Sequence, residues 1–248
     1  MLELWQLAAE RQADFDAGAR DYDRWRPRYP ESLFDDVLSL GGLCRGLSAL
    51  EVGAGTGIAT VPLVDRGLKI TALEPAPAMA ELARAKLGSR ARVEVSRFED
   101  WTASDTVHLI AAFNAWHWIE PNAGIAKVTE LLAPGGALAI VWTEVVAWGS
   151  PLFEGRLADA FGAPWPKNVE QFVHTLDPII DNGRFADLQI RRHRFERELD
   201  ADSFVAVTRT YGGTHTAERD GILRDLINEE MGGSVTKVED AVLYLTRL

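Results

Sequence analysis

The sequence predicts an α/β fold in which helices cover both faces of a doubly wound, mostly parallel sheet whose last strand is antiparallel. Three observations predict it. From residue 48 onward, short apolar segments alternate with amphipathic segments of helical length, the order expected of a parallel sheet. Residues 107–113, VHLIAAF, are almost entirely apolar, as in a strand that is buried on both faces. Ser48–Val52 opens directly into the glycine turn GAGTG and then into a helix, which places a ligand-binding type of turn at the end of a strand.

The individual elements follow from hydrophobic spacing and from the glycines and prolines that end them. Apolar residues recur at helical spacing through residues 2–20. Pro27 and Pro30 exclude a regular helix, so residues 21–30 are predicted to be rich in turns. The predicted strands are 48–52, 69–73, 93–95, 107–113, 137–142, 188–199 and 241–248, and the predicted helices are 2–20, 31–40, 58–66, 76–87, 122–132 and 216–231.

The length of the chain predicts its domain organisation. At 248 residues the chain is expected to form a single domain, 1–248, that can bury a sizeable core. Residues 1–46 are predicted to form a helical cap at the N-terminus. Residues 149–182 contain several prolines, which predicts an irregular insertion near the substrate site.

The charge balance disfavours two classes of partner. The chain has 26 Lys and Arg against 37 Asp and Glu, a formal net charge of −11, whereas nucleic acids and anionic membranes attract a cationic face. The arginines of residues 191–197 stand beside Glu196 and Glu198, which is typical of a solvated strand face. We therefore expect no nucleic-acid partner and no membrane partner, and the sequence gives no indication of the oligomeric state.

Cysteine usage and apolar runs restrict the class further. Cys44 is the only cysteine, so the chain has no intrachain disulfide and no multi-cysteine zinc site, and no metal is expected. The N-terminus lacks a basic stretch followed by an apolar run, and no segment approaches the roughly 18 apolar residues that a membrane span requires. A cytoplasmic protein is the prediction.

The feature that carries chemistry is ALEVGAGTG, residues 49–57. Gly53, Gly55 and Gly57 allow the backbone to approach a ligand closely, and the helix that follows offers free N–H groups. Glu51 lies two residues before the first of these glycines. A dinucleotide-binding fingerprint would have its third glycine at position 58, which is Ile58. A nicotinamide oxidoreductase is therefore an alternative, but the spacing does not favour it.

This spacing resembles motif I of the class I S-adenosylmethionine-dependent methyltransferases, a family with a Rossmann-like fold. Four later segments resemble the same family in order: LEP at 73–75, SRFEDW at 96–101, FNAWHWI at 113–119 and APGGAL at 133–138. The stretch FDAGARDYDRWRPRYP and the C-terminal segment from residue 218 resemble the small-molecule subgroup around trans-aconitate methyltransferase.

The resemblance implies S-adenosyl-L-methionine as the cofactor and assigns roles to residues. Glu51 would bind its methionine part, and Tyr22 and Arg26 would cap the methionine carboxylate. Glu74, at the end of the second predicted strand, would accept hydrogen bonds from the ribose hydroxyls. Pro75 and Met79 would lie along the adenosine, and Phe98 and Glu99 would hold the adenine. The residues expected to bind the cofactor are Tyr22, Arg26, Glu51, Gly53, Ala54, Gly55, Thr56, Gly57, Glu74, Pro75, Met79, Phe98, Glu99 and Asn114.

The acceptor side is predicted from the loops after the strands. His117 is the candidate base or substrate contact, against the alternative that it packs and hydrogen-bonds within its loop. The residues expected to contact the substrate are Trp116, Trp118, Trp142, Tyr211 and His215. Methyl transfer from a sulfonium requires mainly positioning and exclusion of water, and a base only where the nucleophile keeps its proton until attack.

The predicted function is methyl transfer from S-adenosylmethionine to a small-molecule acceptor, with oxygen favoured over nitrogen or carbon. A non-catalytic S-adenosylmethionine-binding module and a nicotinamide oxidoreductase are the alternatives. Residues 1–30 are predicted to act as a lid, because this stretch has two prolines and few large apolar residues, and segments with few buried contacts open readily.

Overall fold

The computed structural model describes residues 4–103, 105–161, 170–186, 188–211 and 216–248, with the backbone alone at 170 and 171. Seven strands form one sheet in the order β3-β2-β1-β4-β5-β7-β6. Strands β1 to β5 are parallel, β7 is antiparallel to both of its neighbours, and the doubly wound sheet with an antiparallel last strand is confirmed. The strands are β1 Ser48–Val52, β2 Lys69–Leu73, β3 Arg92–Glu94, β4 Val107–Phe113, β5 Leu132–Trp148, β6 Gln189–Asp200 and β7 Ser234–Arg247.

Helices lie on both faces of this sheet because the strands alternate apolar side chains between the faces. Along β5, Leu138 and Ile140 belong to one core and Ala137 and Ala139 to the other. The helices are α1 Ala8–Ala17, α2 Ala19–Trp25, α3 Glu31–Gly41, α4 Thr60–Asp65, α5 Pro77–Leu87, α6 Pro121–Leu131, α7 Pro151–Phe161, α8 Glu170–Val173, α9 Asp177–Asp181, α10 Ala201–Arg209 and α11 Ala217–Asp225. Among these described helices, none is both long and apolar enough to cross a membrane.

The N-terminal segment is more helical than the sequence predicts. Helix α2 continues to Trp25, through residues that the nearby prolines lead one to expect in turns. The helix ends where Arg26 adopts an extended conformation, with φ −63° and ψ 140°, since a residue before proline avoids the helical region. Pro27 therefore restricts its immediate neighbour, and the turn-rich stretch is limited to the residues between Trp25 and Glu31.

The predicted irregular insertion at 149–182 contains helices α7, α8 and α9. Pro151 is the first residue of α7, a position where its missing N–H costs nothing. Phe153 and Leu157 of this helix are fully buried, in a core that α10 and β7 share. Pro151 thus begins a helix instead of preventing one.

The last strand starts earlier than hydrophobicity predicts. Lys237, Glu239 and Asp240 interrupt its apolar pattern, yet β7 begins at Ser234. Both acids pair with arginines of β6, Glu239 with Arg197 and Asp240 with Arg194. Ion pairs between β6 and β7 therefore compensate the charges that interrupt the apolar pattern of β7 in the sequence.

Candidate functional site

Two adjoining cavities lie at the carboxyl ends of β1, β2 and β4, where open parallel sheets bind ligands. The first cavity is concave and opens to solvent, a shape typical of a ligand pocket. It contains Glu74, Pro75, Met79, Phe98, Glu99 and Trp118, and the second cavity contains Arg26, Tyr29, Glu51 and Ala54. Both are lined by Tyr22, Gly53, Gly55, Phe113 and Asn114, so the site is elongated and the glycine turn lies at its middle.

The glycine turn lets the backbone form the floor of both cavities. Gly53 has φ +66°, and a Cβ there would lie 2.6 Å from the Cβ of Ala115. Gly55 has φ +58°, and a Cβ there would face the cavities, 3.9 Å from Tyr22 and 4.0 Å from Met79. Only glycine adopts such torsions without strain. Gly57, at φ +81°, instead faces Ala83 of α5, so its role is packing.

Glu74 is the residue that follows β2, and its side chain connects this strand to the glycine turn. Its Oε2 accepts from the N–H of Gly55 at 2.7 Å and its Oε1 from the N–H of Ala76 at 2.8 Å. Burial raises the pKa of Glu74 to about 7, which these two backbone donors partly oppose. Each oxygen keeps a second lone pair, so this carboxylate is fixed in place and still able to accept from two ligand hydroxyls.

Glu51 is the buried acid of the second cavity. The side chain is 1% exposed, and its Oε2 has no hydrogen-bond partner among the described residues. Burial raises the pKa of Glu51 to about 8; the neighbouring Thr60 hydroxyl lowers it and Glu74 raises it further. A buried carboxylate oxygen without a donor is costly, so a ligand cation with N–H donors would find a matched partner here.

The N-terminal cap supplies a cation to the cavity that contains Glu51. The guanidinium of Arg26 lies 4.8 Å from the ring centre of Tyr22 and 4.3 Å from that of Tyr211. One of its terminal nitrogens donates to the carbonyl of Thr210 at 2.8 Å, while its buried Nε has no partner in the described part of the chain. A guanidinium with a free donor can bind a carboxylate, so the second cavity offers partners for both an anionic and a cationic ligand group.

At the far end of the first cavity, Phe98 is buried and Glu99 lies beside it. Glu99 forms a 3.4 Å ion pair with Arg97, and its carbonyl accepts from Lys127 at 2.7 Å. Pro75 and the buried Met79 complete this end. The four residues predicted along the adenosine are therefore brought together by the structure.

Thr56 and Asn114 are predicted to bind the cofactor, but their side chains form hydrogen bonds with other parts of the chain. The Thr56 hydroxyl donates to Asp23 at 2.7 Å, and Lys86 pairs with the same carboxylate. Asn114 has φ +53°, donates to the Tyr29 hydroxyl at 2.8 Å and accepts from the N–H of Thr143 at 2.9 Å.

Several lining residues were not predicted. Gln12 and Phe15 of α1 line the first cavity, and Tyr29 lines the second. The tyrosine lies in the RPRYP stretch that carried the subgroup resemblance, which was the available signal. Nothing in the local pattern of α1 shows that this helix faces a cavity.

His117 does not line either cavity. Its Nδ1 accepts from the indole N–H of Trp142 at 3.1 Å, and its ring stacks on Phe172 at 4.4 Å. Burial, assisted by the charge of Arg26, lowers the pKa of His117 to about 3. The imidazole is therefore neutral with its proton on Nε2, an arrangement that favours the alternative of a packed loop residue over a base.

The aromatic residues predicted at the substrate divide into groups. Trp118 lines the first cavity, with its ring 5.9 Å from Phe15. Trp116 and Trp142 are fully buried in the core. Tyr211 packs against the guanidinium of Arg26, and His215 falls outside the described residues.

Within the described residues, no group of three or more His, Cys, Asp or Glu is placed to hold a metal.

Comparison with known proteins gives a match to the part of the chain that contributes the glycine turn, Glu51 and Glu74 to this site. A family described as a methyltransferase domain matches residues 49–136. An uncharacterized methyltransferase of Mycobacterium tuberculosis is 34% identical over 150 residues, which is 58% of this chain and 60% of the relative. The chain thus spans about 60% of the length of the first curated relatives that it matches.

Solved structures share the fold. A protein assigned as a type II methyltransferase, from Anaeromyxobacter dehalogenans, has a TM-score of 0.65 at 20% identity and covers 90% of this chain and 97% of its own. A Thiobacillus denitrificans methyltransferase in complex with S-adenosylhomocysteine has a TM-score of 0.50 at 15% identity, with 90% of this chain and 94% of its own covered. The sequence match at 49–136 is thus to a methyltransferase domain, and the solved structures share the Rossmann-like fold of this chain.

Proposed function

We propose that this chain, with its methyltransferase domain at residues 49–136, binds S-adenosyl-L-methionine and transfers its methyl group to a small-molecule acceptor, at oxygen. The observation that carries the proposal is the pair of adjoining cavities around the glycine turn, with a buried acid in each. The methyltransferase-domain match at residues 49–136, which include the glycine turn, Glu51 and Glu74, also supports the proposal. We further propose that the chain belongs to the subgroup around trans-aconitate methyltransferase.

The residues present fit the chemistry of the cofactor along its length. In the second cavity, the unpartnered Oε2 of Glu51 suits the ammonium group and the free Nε of Arg26 suits the carboxylate. In the first cavity, Glu74 suits the ribose hydroxyls, and the apolar Met79 and Phe98 suit the adenine. When bound, the cofactor would supply a methyl group that is already activated by the positive charge of its sulfonium.

The chain's own contribution is positioning and the exclusion of water. Phe113 and Asn114 line both cavities, and so does Tyr22 of the N-terminal cap. These groups would fix the direction from which an acceptor approaches, which supplies much of the rate in a displacement of this type. Trp118 would contact the acceptor, because it lines the first cavity beside Phe15.

The acceptor is proposed to be a small molecule on the basis of the charge balance. A chain with a net charge of −11 lacks the overall cationic field that attracts nucleic acid. Oxygen is proposed because an ionised oxygen nucleophile requires no base, and His117 is neutral with Nδ1 occupied.

Titration calorimetry tests the cofactor assignment. We expect S-adenosylhomocysteine to bind and NAD not to bind; the reverse result would identify a nicotinamide enzyme. Release of S-adenosylhomocysteine from S-adenosylmethionine across a panel of hydroxyl and carboxyl acceptors then tests turnover. Binding without turnover of any acceptor in the panel would favour the non-catalytic module.

A further inference from the structure

A buried ion cluster lies immediately behind the second cavity, and the proposed function does not use it. Lys237 is 0% exposed and Glu239 is 1% exposed. The Nζ of Lys237 lies 2.6 Å from Oε1 of Glu239 and also contacts the hydroxyl of Tyr211. Arg197 donates through two nitrogens to Oε2 of Glu239, at 3.2 and 2.7 Å.

Such a cluster is not explained by stability. Removing two charges from water costs several kcal/mol per ion, and well-packed apolar residues of similar volume are often as stable. In this cluster, burial lowers the pKa of Lys237 to about 8 and raises that of Tyr211 to about 12. The free-energy cost of burying these charges has an explanation if their hydrogen bonds hold neighbouring side chains in one orientation, which apolar packing would not do.

Two connections lead from Glu239 to Arg26. In the first, Lys237 joins Glu239 to the hydroxyl of Tyr211, and the ring of Tyr211 lies 4.3 Å from the guanidinium of Arg26. In the second, Arg197 joins Glu239 to the carbonyl of Trp25 at 3.3 Å, which fixes the backbone just before Arg26. The carboxylate of Glu239 thus holds both the ring against which Arg26 packs and the peptide from which Arg26 extends.

Arg26 is held by two aromatic rings and one carbonyl. The rings of Tyr22 and Tyr211 both contact its guanidinium, and the carbonyl of Thr210 accepts from one terminal nitrogen. These three contacts leave the guanidinium little freedom to rotate. The Nε that remains without a partner among the described residues therefore has a defined direction.

We propose that Tyr211, fixed by the buried Lys237–Glu239 pair, is a positioning residue for Arg26 and holds its guanidinium for the amino-acid carboxylate of the cofactor. This inference rests on the proposed function and adds to it a dependence on strands β6 and β7, which lie outside the family match at 49–136. Tyr211 itself acts only through Arg26.

A pair of ligands separates positioning from a general structural role. S-adenosylhomocysteine carries the amino-acid carboxylate, whereas 5′-methylthioadenosine has the same adenosine and sulfur without it. In Tyr211→Leu, which removes the ring, we expect about a tenfold loss of affinity for S-adenosylhomocysteine and less than a twofold change for 5′-methylthioadenosine. Tyr211→Phe keeps the ring but loses the hydroxyl that the Lys237–Glu239 pair holds, and we expect its affinity for S-adenosylhomocysteine to lie between those of the unaltered protein and of Tyr211→Leu.

Each alternative outcome is informative. Equal losses for both ligands in Tyr211→Leu would show a general structural role and overturn the inference, and so would unchanged binding of both. A Tyr211→Phe variant that binds S-adenosylhomocysteine as tightly as the unaltered protein would show that the Lys237–Glu239 pair does not fix the ring, and would also overturn the inference. Failure of the unaltered protein to bind S-adenosylhomocysteine would overturn the proposed function itself, which is measured separately in the same titration.

Discussion

Glu74 and Gly55, 19 positions apart, are joined by a 2.7 Å hydrogen bond from the glycine N–H to the Oε2 of the carboxylate. The bond connects the end of β2 to the turn that follows β1, and these strands are parallel neighbours in the sheet. The acid and the turn therefore form one unit, because either would shift if the other were removed. We expect ligand binding to depend on this unit and on the N-terminal cap that covers it.

Gly55→Val should abolish binding of S-adenosylhomocysteine while leaving the protein folded. The new side chain would enter the space that Tyr22 and Met79 border, and the positive φ adds strain on the order of 1–2 kcal/mol. Gly183→Val is the matched control, since Gly183 has φ +68° and a Cβ placed there would meet no heavy atom within 4 Å. Calorimetry and thermal melting of both variants check this. Equal ligand affinity in the two variants would contradict the site.

Glu74→Ala should weaken the binding of adenosine by about 1.5–3 kcal/mol, the range for hydrogen bonds to a charged group. The variant also loses the acceptor of Gly55 and Ala76, so part of the loss reflects the turn. The 2′,3′-dideoxy analogue isolates the ribose contact. The unaltered protein should bind the analogue more weakly than it binds adenosine. Glu74→Ala should bind the analogue and adenosine with equal affinity. A similar penalty for the analogue in both proteins would exclude the contact.

Binding of S-adenosylhomocysteine should release protons near pH 7. Burial holds the pKa of Glu51 at about 8 and that of Glu74 at about 7, and donors from a ligand would favour the ionised forms. Calorimetry in buffers of different ionisation enthalpy should show net release at pH 6.5 and a smaller release from these carboxyls about two pH units higher, where both are mostly ionised. Glu51→Gln should reduce the release. Equal heats in all buffers at pH 6.5 would contradict the prediction.

The same two carboxyls determine a pH dependence of folding. Their folded pKa values exceed the unfolded value, so the folded state binds more protons than the unfolded chain between about pH 4.5 and pH 8. The contribution of these groups to the free energy of unfolding should therefore fall as the pH rises through this window. Glu51→Gln should flatten the dependence, and urea titrations of both proteins at pH 6 and pH 8 measure it. Parallel pH dependences in the two proteins would contradict the role of Glu51.

Asp16→Ala should destabilise the junction between the N-terminal cap and α5. Its Oδ1 accepts from the N–H of Ala78 at 2.5 Å, and the N-cap residue of α5 has no side-chain bond of its own. The expected cost is about 1 kcal/mol, as for the loss of an N-cap. Asp14→Ala is the control, because Asp14 is exposed and pairs with Arg11. Denaturant unfolding should separate the two variants, and equal stabilities would contradict the capping role.

The lid predicted for residues 1–30 is best tested by hydrogen exchange. The cap is docked through polar contacts such as Gln12 to the carbonyl of Pro75 at 2.8 Å and Thr56 to Asp23 at 2.7 Å. We expect the amides of α2 to exchange more slowly when S-adenosylhomocysteine is bound, because Tyr22 and Arg26 would gain a partner. Unchanged exchange in both states would mean that the segment is permanent structure.

Features that depend on neighbours along the chain were predictable from the sequence. The bounds of β1, β2 and β4 match the prediction residue for residue, because short apolar segments that end at turns have few other conformations. The glycine turn and Glu74 were predictable for the same reason, because each comes immediately after the last residue of a strand. The order of elements then fixed the edge of the sheet at which they meet.

Features that depend on contacts between distant segments were decided only by the tertiary structure. Trp116 and Trp118 are two residues apart, yet one is buried in the core and the other lines the first cavity, because the short 3-10 turn at Trp116–Trp118 directs them differently. His117, between them, is held by Trp142 and stacked on Phe172. Arg26 meets the backbone of Thr210 across 184 positions, a contact that no local pattern encodes. The sequence by itself determined where the backbone turns toward a ligand, and packing between remote segments determined which side chains face it.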